Sequence, residues 1–67
     1  MTKISIVTPT FNEEQNIKKL CSDIKNEMDK LDQDYEHIII DNSSNDGTIE
    51  TLKDICKNDK KVKVIIN

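Results

Sequence analysis

Two polar clusters hold the residues of this chain best suited to chemistry: Pro9-Thr10-Phe11-Asn12-Glu13-Glu14 and Asp41-Asn42-Ser43-Ser44-Asn45-Asp46-Gly47-Thr48. Carboxylates and amides at such positions can pair with base N–H groups or with sugar hydroxyls, and Phe11 offers a flat face for a base to stack on. Asp41 and Asp46 also supply oxygens of the kind that hard cations take, although two carboxylates in a turn-rich loop are a weak signal for a metal. A phosphate cradle needs several glycines so that the backbone can approach the anion. Gly47 is the sole glycine of the chain, so the dinucleotide and Walker fingerprints are both absent. Glu13 and Glu14 would repel a phosphate. The first cluster is therefore expected to meet a neutral part of a ligand.

Each cluster follows an apolar, β-branched run and precedes residues with helical spacing. Residues 3–8 read as a strand that Pro9 ends, because proline gives no N–H to a ladder. Asn12 is expected to cap the first helix, with Gln15 at capping-box spacing and Glu13 and Glu14 in the opening turn, where the helix dipole favours carboxylates. Ile17, Leu20, Cys21, Ile24, Met28 and Leu31 then draw one apolar stripe. Asp32-Gln33-Asp34 breaks the pattern. Tyr35 to Ile40 reads as a second strand, and the unalternating Ile38-Ile39-Ile40 predicts that it is covered on both faces. A second helix is predicted from Thr48 to Asn58, with Ile49, Leu52, Ile55 and Cys56 inward. Val62 to Ile66 forms a third strand. The order β-α-β-α-β predicts a Rossmann-like half-sheet of three parallel strands, with the two clusters side by side at its carboxyl edge.

Length and composition set limits. The 67 residues make one small unit, and a domain of this size buries only about 60% of its unfolded surface. Residues 1–67 are therefore read as the N-terminal part of a larger, incomplete domain. The net charge is -3 and no arginine is present, which speaks against nucleic acid as a partner. Cys21 and Cys56 lack metal-ligand spacing and read as small core residues; they are too few for a secreted disulfide framework. No apolar run approaches the ~20 residues of a membrane span, and no signal peptide is visible. A cytoplasmic location is expected. An open sheet edge would allow self-association.

Taken together, Ser5-Ile-Val-Thr-Pro-Thr-Phe-Asn-Glu-Glu-Gln-Asn-Ile17 and Ile38-Ile-Ile-Asp-Asn-Ser-Ser-Asn-Asp-Gly-Thr48 resemble the start of a family 2 glycosyltransferase with the GT-A fold. The resemblance spans essentially the whole chain. It implies transfer of a sugar from a nucleotide-diphosphate donor to a glycan, lipid-phosphate or protein acceptor. It further implies that the larger protein can work at the cytoplasmic face of the membrane. Pro9, Phe11 and Glu13 match positions lining the nucleoside pocket of the related polyprenyl-phosphate sugar transferases, with Phe11 in place of the more usual Tyr. Ile40, Asp41 and Asn42 match the Val/Ile-Asp-Asp that holds base and ribose, with Asn42 replacing the second Asp. An amide donates and accepts whereas a carboxylate only accepts, which leaves the base preference open. By the same resemblance, the Mg²⁺ or Mn²⁺ ligands and the general base lie beyond these residues, and the 67 residues alone are expected to be inactive. A nucleotidyltransferase and a receiver- or flavodoxin-like binding module are the alternatives. The first fits poorly with a loop lacking Gly, Lys and Arg, and the second with an acidic pair placed beyond Pro9.

Overall fold

A computed structural model describes residues 3–67. The elements run β1 (Ile4–Thr10), α1 (Ile17–Leu31), β2 (Tyr35–Asp41), α2 (Thr48–Asn58) and β3 (Val62–Ile66). Both strand pairs are parallel and the sheet order is β1-β2-β3. This is the α/β half-sheet that the sequence predicts. Two successive right-handed crossovers moving in one direction across a sheet put both helices on the same face. Burial agrees: Tyr35, His37, Ile39 and Asp41 are buried along β2, and the residues between them are not. Ile17, Cys21, Ile39, Leu52 and Val62 form the core between sheet and helices, with Leu20, Ile55 and Val64 packed against it.

Several boundaries differ from the sequence reading. β1 runs through Pro9 to Thr10. The Ile4 N–H donates to the Asp34 carbonyl and the Thr10 carbonyl accepts from the Asn42 N–H. Even-numbered residues of β1 therefore turn their backbone groups toward β2, and the missing N–H of Pro9 falls on the edge that no strand among the described residues pairs. Asn12 does not cap α1: it takes φ 51° and the helix starts five residues later, with Asn16 at its N-cap and no acidic residue in the first turn. The apolar stripe of α1 fades at its end, where Leu31 is exposed beside Asp32 in a left-handed cap.

The expectation that β2 is covered on both faces is met on one face only. Ile38 and Ile40 look away from the helices, and Val7 and Ile65 on the same side are exposed. Lys3, Glu36 and Lys63 form ion pairs at the amino end of that open face, with Glu36 shared at 3.7 and 3.8 Å. Exposed pairs of this kind stabilise little.

Candidate functional site at the carboxyl edge of the sheet

The strand register brings the two clusters together. Pro9 pairs with Ile40 and Thr10 with Asp41; on the other side Ile40 pairs with Ile65 and Asp41 with Ile66. Side chains alternate along a strand, so Pro9, Ile40 and Ile65 form one row across the open face. Thr10 and Asp41 belong to the opposite, helix-covered face.

Asp41 is fully buried and is the hub of the edge. Its Oδ1 accepts from the Thr10 hydroxyl at 2.9 Å and from the Ser44 hydroxyl, and its Oδ2 accepts from the Ser44 N–H at 2.8 Å. Burial alone would raise the carboxyl pKa. The hydrogen bonds from the Ser44 side chain, the Ser44 backbone and Thr10 outweigh it, and the net shift is downward. The carboxylate is thus ionised at neutral pH, and each of its oxygens accepts at least one hydrogen bond within the protein.

A second set of bonds zips the two loops. The Asn12 N–H donates to Ser44 Oγ at 2.9 Å, the Asn45 N–H to Asn12 Oδ1 at 2.9 Å, and the Gly47 N–H to Glu14 Oε1 at 3.1 Å. The left-handed conformation that the Ser-Asn-rich run invites falls on Ser43, at φ 57°, and on Asn12. Gly47 keeps a negative φ of -81°. What it provides is room: a Cβ there would lie 2.6 Å from Glu14 Cδ. Asp46 turns the chain into α2 as expected, with its Oδ1 accepting from the Thr48 hydroxyl and, at 2.9 Å, the Thr48 N–H. The Thr48 hydroxyl is the main cause of a lowered Asp46 pKa.

The end of β3 joins the same edge. The Asn67 N–H donates to the Asp41 carbonyl at 2.9 Å, Ser43 Oγ donates to the Asn67 carbonyl at 2.6 Å, and Asn67 Nδ2 donates to Asn42 Oδ1 at 3.1 Å. Among the six residues singled out from the sequence, Pro9 and Ile40 are in register, Asn42 follows them on an exposed position, and Phe11 is 55% exposed just beyond Thr10. Glu13 is half-buried, and its carbonyl accepts the Asn16 and Ile17 N–H groups that start α1. Thr10, Ser44, Glu14 and Asn67 were missed as organisers of the edge. Thr10, Glu14 and Ser44 lie within the two clusters and Asn67 outside them, and only the register reveals what their side chains face.

No group of three or more His, Cys, Asp or Glu side chains able to hold a metal occurs among the described residues. Asp41 is fully buried with three protein donors on its carboxylate, and Asp46 is turned to Thr48. These carboxylates do not fit a cation site, and no step through a cation follows from them. Cys21 and Cys56 are free, with burial raising the Cys21 pKa ahead of the nearby Asp59 charge.

The sequence matches the family model described as glycosyl transferase family 2 over residues 5–67, which takes in both loops and all three strands. The chain belongs to glycosyltransferase family 2. It is 38% identical, over 96% of its length, to an undecaprenyl-phosphate 4-deoxy-4-formamido-L-arabinose transferase of Aeromonas hydrophila, covering 20% of that protein. It is 33% identical over its full length to a GalNAc(5)-diNAcBac-PP-undecaprenol beta-1,3-glucosyltransferase of Campylobacter jejuni, covering 21% of it. Over 79% of its length it is 36% identical to a dolichol-phosphate mannosyltransferase of Pyrococcus furiosus, covering 14% of that protein. The chain thus spans about a fifth or less of these curated relatives. Family membership sets aside the nucleotidyltransferase and receiver readings. No helix among the described residues is long and apolar enough to cross a membrane, whereas these relatives are named for lipid-linked substrates.

Proposed function

We propose that this chain supplies the nucleoside side of a donor pocket in a sugar transfer from a nucleotide-diphosphate sugar to a lipid-phosphate, glycan or protein acceptor. The observation that carries the reading is the shared edge. Pro9 and Ile40 form an apolar floor in register, Phe11 stands exposed beside it, and Asn42 follows Ile40 with an exposed amide. An aromatic face and a polar edge over an apolar floor suit a base or a ribose. The Glu13 carbonyl accepts the N–H groups that start α1, and Asp41 acts by holding both loops in place. Lipid-phosphate acceptors are supported by the names of the relatives.

In such a transfer an acceptor oxygen bonds to the anomeric carbon, the bond from that carbon to the diphosphate breaks, and the acceptor proton passes to a base. Among the described residues, the exposed carboxylates at this edge, Glu14 and Asp46, accept backbone N–H groups of the second loop and of α2, and no glycine-rich phosphate cradle is present. The domain formed by residues 1–67 is then incomplete for catalysis, and a base and any Mg²⁺ or Mn²⁺ ligands would come from outside it. Titration of the protein with uridine and guanosine diphosphates, with and without Mn²⁺, tests the pocket. Saturable binding that perturbs amide signals of Phe11 and Asn42 is expected. No binding of either nucleotide refutes the reading. Sugar transfer by the 67 residues alone, followed with a radiolabelled donor, is expected to be undetectable; measurable turnover would overturn the incompleteness.

A further inference from the structure

β3 is an edge of the sheet, and no strand among the described residues pairs its outer side. In the parallel ladder with β2, the Lys61 carbonyl accepts from the His37 N–H and the Asn67 N–H donates to the Asp41 carbonyl. Odd-numbered residues of this segment therefore face β2, and the N–H and carbonyl groups of Val62, Val64 and Ile66 point away from it. Those of Val62 are used within the chain, the N–H by the Asp59 carbonyl at 3.1 Å and the carbonyl by Cys56 Sγ at 3.2 Å. Those of Val64 and Ile66 have no protein partner among the described residues. Side chains alternate, so Val64 and Ile66 lie on the helix-covered face, yet α2 leaves Ile66 44% exposed. A groove of about 410 Å³ runs there, lined by Lys53, Cys56, Lys57, Val64 and Ile66. Lys53 and Lys57 are exposed and enter no ion pair among the described residues, and Glu50 and Asp54 of the same helix do not line the groove.

We propose that β3 and this groove take an extended acidic segment of a partner protein as an added strand, one with glutamates at alternate positions. The main-chain bonds come from Val64 and Ile66, as when a peptide extends an exposed sheet edge. Residues two apart on a strand share a face and stand about 6.6 Å apart. Lys53 and Lys57 are four residues apart, about 6 Å along α2. Two glutamates so spaced lay their methylenes on Val64, Ile66 and Cys56 and bring their carboxylates to the two ammonium groups. The residues between them fall on the open face beside the exposed Ile65, which suits valine. A second copy of this chain is a poor occupant. Pairing β3 with β3 brings Lys53 and Lys57 of both copies to one seam, and like charges facing each other disfavour a sheet. The free edge of β1 carries Pro9, and the strand holds no carboxylate to meet the lysines.

The test titrates the protein into a fluorescein-labelled peptide of alternating glutamate and valine and follows its anisotropy at low salt. Saturable binding is expected, about tenfold tighter than that of the lysine–valine counterpart, in line with two exposed ion pairs gained and two like-charge contacts avoided. Lys53→Glu combined with Lys57→Glu should reverse that order. Val64→Pro should abolish binding and leave the pairing with β2 intact, because the N–H it removes points outward, as at Pro9. Hydrogen exchange reads the same contact on the native protein: the Val64 and Ile66 amides should slow by about tenfold or more when the acidic peptide is bound, and the Ile65 amide should not change. No binding of the acidic peptide, equal binding of the two peptides, an order unmoved by the double substitution, or binding with unchanged exchange at Val64 and Ile66 overturns the proposal. So does a dimer, seen by sedimentation, that the acidic peptide fails to dissociate, since a second copy then covers β3.

Discussion

Replacing Asp41 by Asn changes one oxygen to an amino group in the best-connected side chain of the protein. Three donors converge on the native carboxylate: the Thr10 hydroxyl, the Ser44 hydroxyl and the Ser44 N–H. The amide can keep its oxygen toward the two hydroxyls, and then its amino group faces the Ser44 N–H. Alternatively it can flip, and then both hydroxyls must turn their hydrogens away within a buried site. Ser44 Oγ already accepts from the Asn12 N–H, so the disturbance reaches the first loop. A hydrogen bond to a charged group contributes about 1.5–3 kcal/mol, so losing one outright and weakening another should cost about 2–4 kcal/mol. A chain of this length has roughly 3–10 kcal/mol in total, so the variant should lose a large part of its stability. Urea unfolding followed by far-ultraviolet circular dichroism measures this directly, provided that the slope of the transition is unchanged. The pH dependence gives a second reading. A depressed carboxyl pKa contributes stability that is full above the unfolded value of 3.8 and is lost as pH falls through the folded value. The native protein should therefore lose stability below about pH 4, and Asp41→Asn should show a flatter acid limb. A variant within about 0.5 kcal/mol of the native protein, with the same acid limb, would refute the hub role.

Burial lowers the pKa of His37, against a small opposing effect of Asp59, and its ring shares a hydrogen bond with Thr8 Oγ1 at 2.8 Å. The unfolded chain then takes up a proton first as pH falls below 6.5, so the urea midpoint should drop between pH 7.5 and 5.5; an unchanged or higher midpoint contradicts this. Gly47→Ala should push away the Glu14 carboxylate and lower stability by about 0.5–1.5 kcal/mol, and adding Glu14→Ala should cost little more, because both remove one bond. Additive losses in that cycle would show that the two residues act separately. Ile39→Ala, in the core, should cost about 2–5 kcal/mol, whereas Ile38→Ala on the open face should cost under about 1 kcal/mol. Equal losses would mean that the helix-free face is packed.

The element order was legible because apolar runs and turn residues alternate cleanly, and α2 begins and ends where its stripe and Asp46 predict. The first loop was misread for a definite physical reason. Asn12 is as good a residue for a left-handed turn as for a helix cap, and its side chain is used by the Asn45 N–H across the site. A local capping rule competes poorly with a tertiary partner. Pro9 misled in the same way: whether proline ends a strand depends on which edge its nitrogen faces, and sequence alone does not specify the register. The site residues were legible as a set but not in their division of labour. Asp41 and Asn42 are adjacent, yet alternation sends one into the protein as an organiser and leaves the other at the exposed edge.

That alternation also explains why this edge tolerates so polar a composition. On the helix-covered face, Thr10, Asp41, Ser44 and Thr48 are buried, and no buried side-chain nitrogen or oxygen among the described residues lacks a partner. Full satisfaction is what keeps a buried polar network from destabilising a core this small. On the open face the same strand ends carry Pro9, Ile40 and Ile65 beneath the Asn42–Asn67 pair. One face thus holds the loops from behind while the other leaves apolar surface and the exposed Asn42–Asn67 amides in front. In the proposed pocket, Asp41 holds both loops from behind without needing to touch the ligand, and Asn42 stands at the exposed edge. Substitutions at the two adjacent positions should therefore separate: Asp41 variants should weaken nucleotide binding together with stability, and Asn42→Ala should weaken nucleotide binding with stability nearly untouched. Asn42→Ala that binds as tightly as the native protein, or that loses as much stability as Asp41→Asn, would break that division.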